Sequence, residues 1–512
     1  MRRGNVAKVD ESGPSPKTRP KLKPVSIESE FIPPVSGPRN SGWRISRSSI
    51  RILGQNVDFR TAILAAVDWF ILLISMHLAA WAWFQGDFAM LRADLGHIGL
   101  ESLVFATVMM ACMVAMGLYN RRLDQRTIAV LARVLVGFAA GAVAMAVLLY
   151  LTDFMRLGRA TLGLSLVIAL PLLGASRVLF VRALGRDRFA RRVLVYGSGR
   201  RAADLGDVRV RQDLRGFRVL GYVPTEGDRA EVSPDLCLRP PEDLREFVLA
   251  NDVDEVIVAM DDRRRGLPVE QLLNCRLAGV PVTDVLTFVE RESGKVELSM
   301  LYPSWLIFSE DINSRGLSRL LTRLFDITAA SLLLVLASPL MLLTALAVWL
   351  ESGFKGPVLY KQERIGLEGV PFTLFKFRSM QLDAEKNGAQ WATSDDPRVT
   401  RVGAFIRKTR LDELPQLFNV LKGEMSFVGP RPERGEFVEK LSERIPYYRE
   451  RHCVKPGITG WAQLCYPYGA SEEDALQKLQ YDLYYVKNKT VLFDMIILLQ
   501  TAEVVLWRKG AR

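Results

Sequence analysis

Between Lys376 and Arg431 the chain gathers residue types that handle phosphate. Asp412 and Glu413 are adjacent carboxylates, with Arg407, Lys408 and Arg410 just before them. Pro415 follows, then Leu417, Phe418 and Leu421 recur at helical spacing and Gly423 ends the run. Proline is tolerated in the first turn of a helix, where its missing N–H has no partner to lose. The spacing therefore predicts a short helix with the carboxylate pair at its positive, N-terminal end. Two acids among fixed cations at such an end suit a polyanion. In the run TLFKFRSM (Thr373–Met380), strand alternation puts Lys376 and Arg378 on one face and Phe375 and Phe377 on the other. Two cations on one strand beside the cluster suit a diphosphate. Arg431 lies between Pro430 and Pro432, which restrict its backbone and pre-position its guanidinium. Lys455-Pro456-Gly457 reads as a tight turn leading to Trp461.

Positioning such a cluster takes a large framework. At 512 residues the chain exceeds one ordinary core, and two to four domains are expected. Its apolar residues fall in blocks, which points to membrane segments. A net charge of +12 suits anionic lipid surfaces and phosphorylated substrates. No aromatic-plus-basic recognition module accompanies it, so nucleic acid is not expected as a partner. The five cysteines are scattered without paired spacing, and with three histidines they argue against a Cys/His zinc site. That pattern fits a reducing compartment.

Residues 1–60 read as a disordered basic tail, either a solvated linker or a lipid-headgroup contact, with no signal peptide before the first apolar block. A four-helix transmembrane domain is expected over residues 61–184, from the blocks Thr61–Phe84, Ile98–Tyr119, Ile128–Leu151 and Ala160–Leu184. Arginines flanking the tail side, the second loop and the exit from the fourth block put both ends of the bundle in the cytoplasm. Asp68 and Arg133 lie within blocks and call for pairing, for placement near the interface or for a functional polar site. Residues 190–290 alternate strands and helices in the order of a Rossmann-like α/β domain. The turn Gly197-Ser198-Gly199 with Ala202 is a weak dinucleotide fingerprint. The acid expected after the second strand is missing, so a structural or regulatory domain is favoured over a nucleotide site. The fifth block, Asp326–Glu351, is flanked by arginines and lysines at both ends and contains Ser338-Pro339. A helix that enters the cytoplasmic leaflet, breaks at Ser338-Pro339 and returns reconciles the charges, with the serine hydroxyl taking a freed carbonyl. Residues 315–512 thus hold the re-entrant helix and the catalytic domain. The apolar but interrupted run Thr490–Trp507 is expected to lie along the membrane.

The last third of the chain resembles the bacterial sugar transferase family of polyprenyl-phosphate hexose-1-phosphate transferases, the monotopic phosphoglycosyl transferases. The resemblance is carried by KFRSM (Lys376–Met380), by DPRVTRVGAFIRKTRLDELPQLFNVLKGEMSFVGPRPE (Asp396–Glu433) and by KPGITGWAQ (Lys455–Gln463). The whole layout is similar to the family's long form. It implies a membrane α-helical bundle of four spanning helices, a Rossmann-like α/β domain, and an α+β monotopic catalytic domain with a re-entrant membrane helix. It further implies an enzyme of the bacterial inner membrane, with catalytic domain and both termini cytoplasmic. A UDP-sugar would donate hexose-1-phosphate to undecaprenyl phosphate and release UMP, initiating exopolysaccharide, capsule or holdfast assembly. By the same resemblance Asp412 would be the nucleophile, Glu413 its metal partner or proton acceptor, and Mg²⁺ the cofactor at that pair. Lys376, Arg378, Arg407, Arg410 and Arg431 are the candidates for phosphate and nucleotide contacts. Glucose is the first expectation for the sugar, galactose the second, and a homo-oligomer is allowed.

Two rivals have distinct signatures. An NAD-dependent nucleotide-sugar oxidoreductase or epimerase would use Gly197 and Gly199 with a Tyr-x-x-x-Lys pair, for which Tyr485 and Lys489 are the match. A non-enzymatic scaffold of polymer assembly would not need Asp412.

Overall fold

The computed structural model describes residues 50–506 apart from 53–54, 58, 85–97, 117, 120–126, 152–158, 184–190, 212–216, 227, 264–265, 302–315, 382–383, 385–395, 467–468 and 470. Most of the basic tail and the loop arginines used for orientation lie outside the described residues. The tail boundary at residue 60 is corrected: β1 (Ile50–Ile52) and β2 (Gln55–Val57) pair antiparallel, with Ile50 opposite Val57. Alternating apolar residues on either side of Gly54 are enough for one short hairpin.

Four apolar helices follow, α1 (Phe59–Trp83), α2 (Ile98–Ala115), α3 (Thr127–Leu151) and α4 (Arg159–Ala183). Three of them fall within about two residues of the blocks read from hydropathy, and α2 ends four residues before its block does. Leu72, Met76, Phe105, Met109, Met113, Phe138, Met145 and Leu173 fill their common core. Gly141 lets α3 close on α2, because a Cβ there would stand 2.5 Å from the Met109 sulfur. Phe70, Ile74, Trp81, Leu135, Val143 and Val167 are exposed, so the outer surface is as apolar as the inside. Asp68 finds its pair in Arg177, whose Nη2 lies 2.6 Å from Oδ2. Tyr119 and Ser176 also donate to that carboxylate, at 2.7 and 2.9 Å. Because Asp68 is near the start of α1, Tyr119 just past α2 and Arg177 near the end of α4, these three ends lie at one level of the bundle.

The middle domain is a four-stranded parallel sheet in the order β4-β3-β5-β6, built from β3 (Arg191–Tyr196), β4 (Phe217–Val223), β5 (Glu255–Val258) and β6 (Val282–Asp284). Helices α5 (Arg200–Arg211), α6 (Leu244–Ala250), α7 (Val269–Leu277) and α8 (Val285–Ser293) connect and follow the strands. The interior strands are apolar on both faces, and a separate core lies on each side of the sheet. Past α8 the chain turns at Gly294, φ +64°, and docks onto the catalytic domain. Glu290 accepts from Lys487 at 2.6 Å and Asn488 at 3.2 Å, Lys295 donates to Gln480 at 2.8 Å, and Trp461 Nε1 donates to the Gly294 carbonyl at 2.7 Å.

The catalytic domain opens with α9 (Gly316–Glu351) and the antiparallel hairpin of β7 (Leu359–Ile365) and β8 (Pro371–Phe377). Then come α10 (Arg401–Lys408), α11 (Gln416–Lys422), β9 (Ser426–Val428), α12 (Gly435–Arg444), β10 (Gly457–Thr459, parallel to β9), α13 (Trp461–Cys465), α14 (Glu472–Asn488) and α15 (Val491–Leu506). Their shared core includes Leu417, Val420, Phe427, Leu479, Leu483, Tyr485 and Ile497.

At Ser338-Pro339, where the sequence places a break, α9 keeps its helical conformation through Pro339. Proline has no N–H for the Val335 carbonyl four residues back, but Ser338 Oγ donates to that oxygen at 2.8 Å and keeps the turn satisfied. Both ends of α9 are tied to one domain. Arg323 donates to the Val420 and Leu421 carbonyls at 2.6 Å, and Asp326 accepts from Ser426 Oγ and Phe427 N at 3.1 Å. At the far end Val348 packs with Phe377 and Ile406, and Glu351 accepts from Val402 N at 3.0 Å. Between them Val335, Leu336, Leu342 and Leu343 are exposed. The C-terminal α15, expected along a membrane surface, inserts Phe493 and Ile497 from one face into the catalytic core and packs against α2.

Removing one partner of the buried Asp68–Arg177 pair strands the other charge. Asp68→Leu or Arg177→Met alone should cost about 3–5 kcal/mol, while the double substitution costs clearly less. Thermal unfolding of the purified full chain across this cycle measures the difference.

Candidate active site

Asp412 and Glu413 lie on a 3₁₀ turn, Leu411–Glu413, that joins α10 to α11. Pro415 occupies the N-cap of α11 and Gly423, φ +87°, its C-cap, as the spacing implies. The turn begins at Arg410, which holds φ +60°, a left-handed conformation unfavourable for a residue with a Cβ. Asn419, fully buried on α11, ties this turn to β8. Its Nδ2 donates to the Thr373 carbonyl and to Glu424, both at 2.7 Å, and its Oδ1 accepts from Phe375 N at 3.1 Å. That lateral link places Lys376 beside the carboxylates.

Glu413 takes the cations. Arg431 Nη2 stands 2.8 Å from its Oε1, Lys376 Nζ 3.4 Å and Arg410 Nη1 3.7 Å. Burial opposes its charge, but Arg431, Lys376 and Arg410 outweigh that and hold the carboxyl well below the usual range. Asp412 is also buried, at 8 % exposure, yet its Oδ1 has no hydrogen-bond partner. Burial, and then the Glu413 charge, raise its pKa against the pull of Lys376, Arg431 and Arg410. One carboxylate is thus paired through Oε1 with three cations and ionised, and its neighbour keeps an uncommitted oxygen in a cationic surround.

Arg431 is fixed from behind. The prolines around it contribute no N–H groups, leaving a row of carbonyls to be satisfied. Pro430 O accepts from Gly457 N at 3.0 Å, Arg431 O from Arg451 at 3.1 Å and Pro432 O from Arg364 at 3.1 Å. Arg451 is itself paired with the buried Asp482 at 2.8 Å. Gly457 must lack a side chain, since a Cβ would stand 2.1 Å from Gly429 N. The PRP and KPG motifs therefore meet backbone to backbone.

Of the five expected cations, Lys376, Arg410 and Arg431 converge on Glu413. Arg378 does not: it lies one residue past β8 and donates to the Lys355 carbonyl at 3.4 Å. Arg407, on α10, does not pair with Glu413 and adds a little to the field at Asp396, which Arg398 holds down at about 2. Arg364, Asn419 and Arg451 were missed, and only the orphan carbonyls beside Pro430 and Pro432 hinted that Arg431 needed donors. Ser338 and Pro339 lie on α9, and neither is among the groups that pair with these carboxylates.

The Gly197-Ser198-Gly199 turn is filled by the protein's own acids. Asp261 accepts from Arg200 N and Arg201 N at 2.9 and 3.0 Å, and Asp228 accepts from Ser198 N and Asp261 N, both at 2.9 Å. A Cβ at Gly199 would stand 2.1 Å from Asp261 Oδ2, so this glycine admits a carboxylate where a dinucleotide would place its pyrophosphate. Tyr485 is no partner for that turn either; its hydroxyl is bonded to Asp494 and the Val428 carbonyl inside the catalytic core.

Among known proteins, a family model described as bacterial sugar transferase matches residues 317–508, and one described as CoA-binding domain matches 114–273. The UDP-glucose:undecaprenyl-phosphate glucose-1-phosphate transferase of Xanthomonas campestris pv. campestris is 34% identical over 373 residues, 70% of this chain and 76% of that protein. The chain belongs to the bacterial sugar transferase family. Every residue of the Asp412–Glu413 cluster falls inside the sugar transferase match, and the parallel sheet spans the end of the other. A UDP-N-acetylgalactosamine-undecaprenyl-phosphate N-acetylgalactosaminephosphotransferase of Aeromonas hydrophila is 42% identical over 49% of this chain and 58% of its own length. A UDP-glucose:undecaprenyl-phosphate glucose-1-phosphate transferase of Escherichia coli (strain K12) is 40% identical over 51% of this chain and 56% of its own. With these two the matched stretch spans little more than half of the relative.

Asn419→Ala should leave the Phe375 N–H and Thr373 carbonyl without partners. Each unsatisfied group costs about 1–3 kcal/mol, so a clear fall in the unfolding midpoint of the full chain is expected.

Proposed function

We propose that the protein transfers a hexose-1-phosphate from a UDP-sugar to undecaprenyl phosphate through an aspartyl-phosphosugar at Asp412. The uncommitted Asp412 Oδ1, beside a Glu413 whose Oε1 already faces three cations, carries this reading. In the first step the Asp412 carboxylate attacks the sugar-proximal phosphorus, and the bond to the bridging oxygen breaks to release UMP. In the second, a phosphate oxygen of the polyprenyl acceptor attacks the same phosphorus and Asp412 leaves as carboxylate. Neither step requires a proton. Dividing the transfer lets one buried site serve a soluble donor and a lipid acceptor in turn.

Phosphoryl transfer asks chiefly for positioning and charge neutralisation. Arg431 and Lys376 pair with Glu413 and act electrostatically on Asp412, so a diphosphate entering here competes with Glu413 for their donors. Arg410, about half exposed, is the cation at the mouth. Mg²⁺ favours one or two carboxylates completed by substrate phosphates and water, and no described group offers three acidic or imidazole ligands. Asp412, with Glu413 behind it, fits such an ion only together with the diphosphate. Bound there, the ion would neutralise charge developing on the phosphoryl oxygens.

Among the described residues, five helices are long and apolar enough to cross a membrane. We read α1–α4 as spanning an inner membrane with both bundle ends cytoplasmic. We read α9 as re-entrant, because its two ends are held by one polar domain while its middle presents leucine and valine outward. That arrangement would bring the acceptor's phosphate to the carboxylates at headgroup level. Glucose leads by resemblance to the long form, although relatives acting on glucose and on N-acetylgalactosamine match comparably.

Asp412→Asn should abolish UMP release from UDP-sugar in membranes supplied with polyprenyl phosphate, and labelled donor should leave no adduct at that side chain. Normal turnover in this variant would remove the assignment. Since the raised pKa of Asp412 belongs to a nucleophile that works ionised, kcat/KM should fall on acidification with a limb above the ordinary aspartate value. Glu413→Gln removes the neighbouring negative charge, so the limb should move to lower pH even as the rate drops.

A further inference from the structure

At the end of α11 away from the carboxylates, three cations from three elements come together. Arg323, two turns into α9, is spent on the Val420 and Leu421 carbonyls but keeps its charge. Asp326, one turn further, accepts from Ser426 Oγ and Phe427 N. Ser426 N in turn donates to the Pro456 carbonyl at 2.9 Å, which brings Lys455 to the same stretch of β9. Lys489, just past α14, lies over the Tyr485 ring, whose hydroxyl donates to the Val428 carbonyl on that strand. Lys455 is half-buried, and it makes no hydrogen bond or ion pair among the described residues. Burial, and then the Arg323 charge, push its ammonium below the usual lysine range; Lys489 adds to this and Asp326 opposes it.

The acids nearby do not balance these charges. Asp326 is bonded to β9 and Asp494 to the Tyr485 hydroxyl, and three cations face these two carboxylates. A half-buried lysine held beside like charges calls for an anion from outside the chain. Helix α9 shows what that anion carries. Leu320, Leu324 and Ile327 are 65%, 58% and 40% exposed and share one side of the helix. Arg323 borders that side, three residues after Leu320 and four before Ile327. We infer that Arg323, Lys455 and Lys489 form a site for the headgroup of an anionic phospholipid, whose acyl chains run along Leu320, Leu324 and Ile327.

A free phosphate would use the cations and leave the leucines uncovered. In the proposed reaction the polyprenyl phosphate goes to Asp412, at the opposite end of α11, a helix of seven residues or about 10 Å. The two phosphates therefore have separate places. Cations beside apolar surface favour anionic lipid at the membrane interface, and a headgroup fixed here would hold the first turns of α9 at that level. This inference rests on α9 lying in lipid, as read above.

The test titrates the purified full chain in detergent with phosphatidylglycerol or phosphatidylcholine and reads bound lipid by native mass spectrometry. One phosphatidylglycerol should bind several-fold more tightly than phosphatidylcholine. Lys455→Gln and Lys489→Gln should each lower that affinity several-fold, while Lys455→Arg keeps it. Lys440→Gln, an exposed control on α12, should change nothing. Undecaprenyl phosphate and inorganic phosphate should displace deuterated phosphatidylglycerol less readily than phosphatidylglycerol itself does. Equal affinity for the two phospholipids, full affinity in the Lys455→Gln/Lys489→Gln double variant, or competition by either phosphate that matches phosphatidylglycerol would overturn the inference. The bilayer placement of α9 is tested separately: brominated lipid should quench the tryptophan signal that Trp349→Phe removes. Failure of the lipid titration leaves that result, UMP release and Asp412 trapping untouched.

Discussion

Neutralising one buried carboxylate with three cations is the interaction on which the catalytic domain is built. Glu413 brings together a strand, a turn and a proline-bound loop, because Lys376 comes from β8, Arg410 from the turn and Arg431 from the segment after β9. A carboxylate so engaged is committed to its cations. Its neighbour is not, and the cluster's positive excess is what keeps an unpartnered Asp412 oxygen tolerable inside the protein. Two carboxylates one residue apart thus acquire opposite surroundings.

Supporting contacts reach outward from that cluster in a definite order. Arg451 and Arg364 hold the backbone carbonyls at Arg431 and Pro432, and Asp482 holds Arg451. Asn419 spaces β8 from α11. Arg398 locks Asp396 at the entrance to α10, and Thr400 caps that helix on Gly403 N at 2.9 Å. None of these groups touches Glu413, yet each fixes an element that does.

Much of this was legible because it is local. Hydropathy blocks gave the four helices, alternation gave β8, and the Pro415–Gly423 spacing gave α11. Ser338 was read as the hydroxyl that would take a carbonyl freed by Pro339, and it takes that of Val335. What could not be read is non-local. Arg378 shares its strand face with Lys376 in the alternation pattern but lies beyond the last paired residue, so its direction is set by Lys355 instead. Arg451 is one arginine in a charged run until the fold sets it under Arg431. The glycine turn misleads for a related reason: sequence shows that side chains are excluded there, not that Asp261 fills the space.

Helix α9 belongs to the catalytic domain and is held to it at both ends, near Arg323 and near Glu351, while α15 carries the domain onto α2. A helix fastened at both ends to one body cannot slide or swing independently of it. The level at which its exposed leucines and valines lie and the level of the carboxylates are consequently set together.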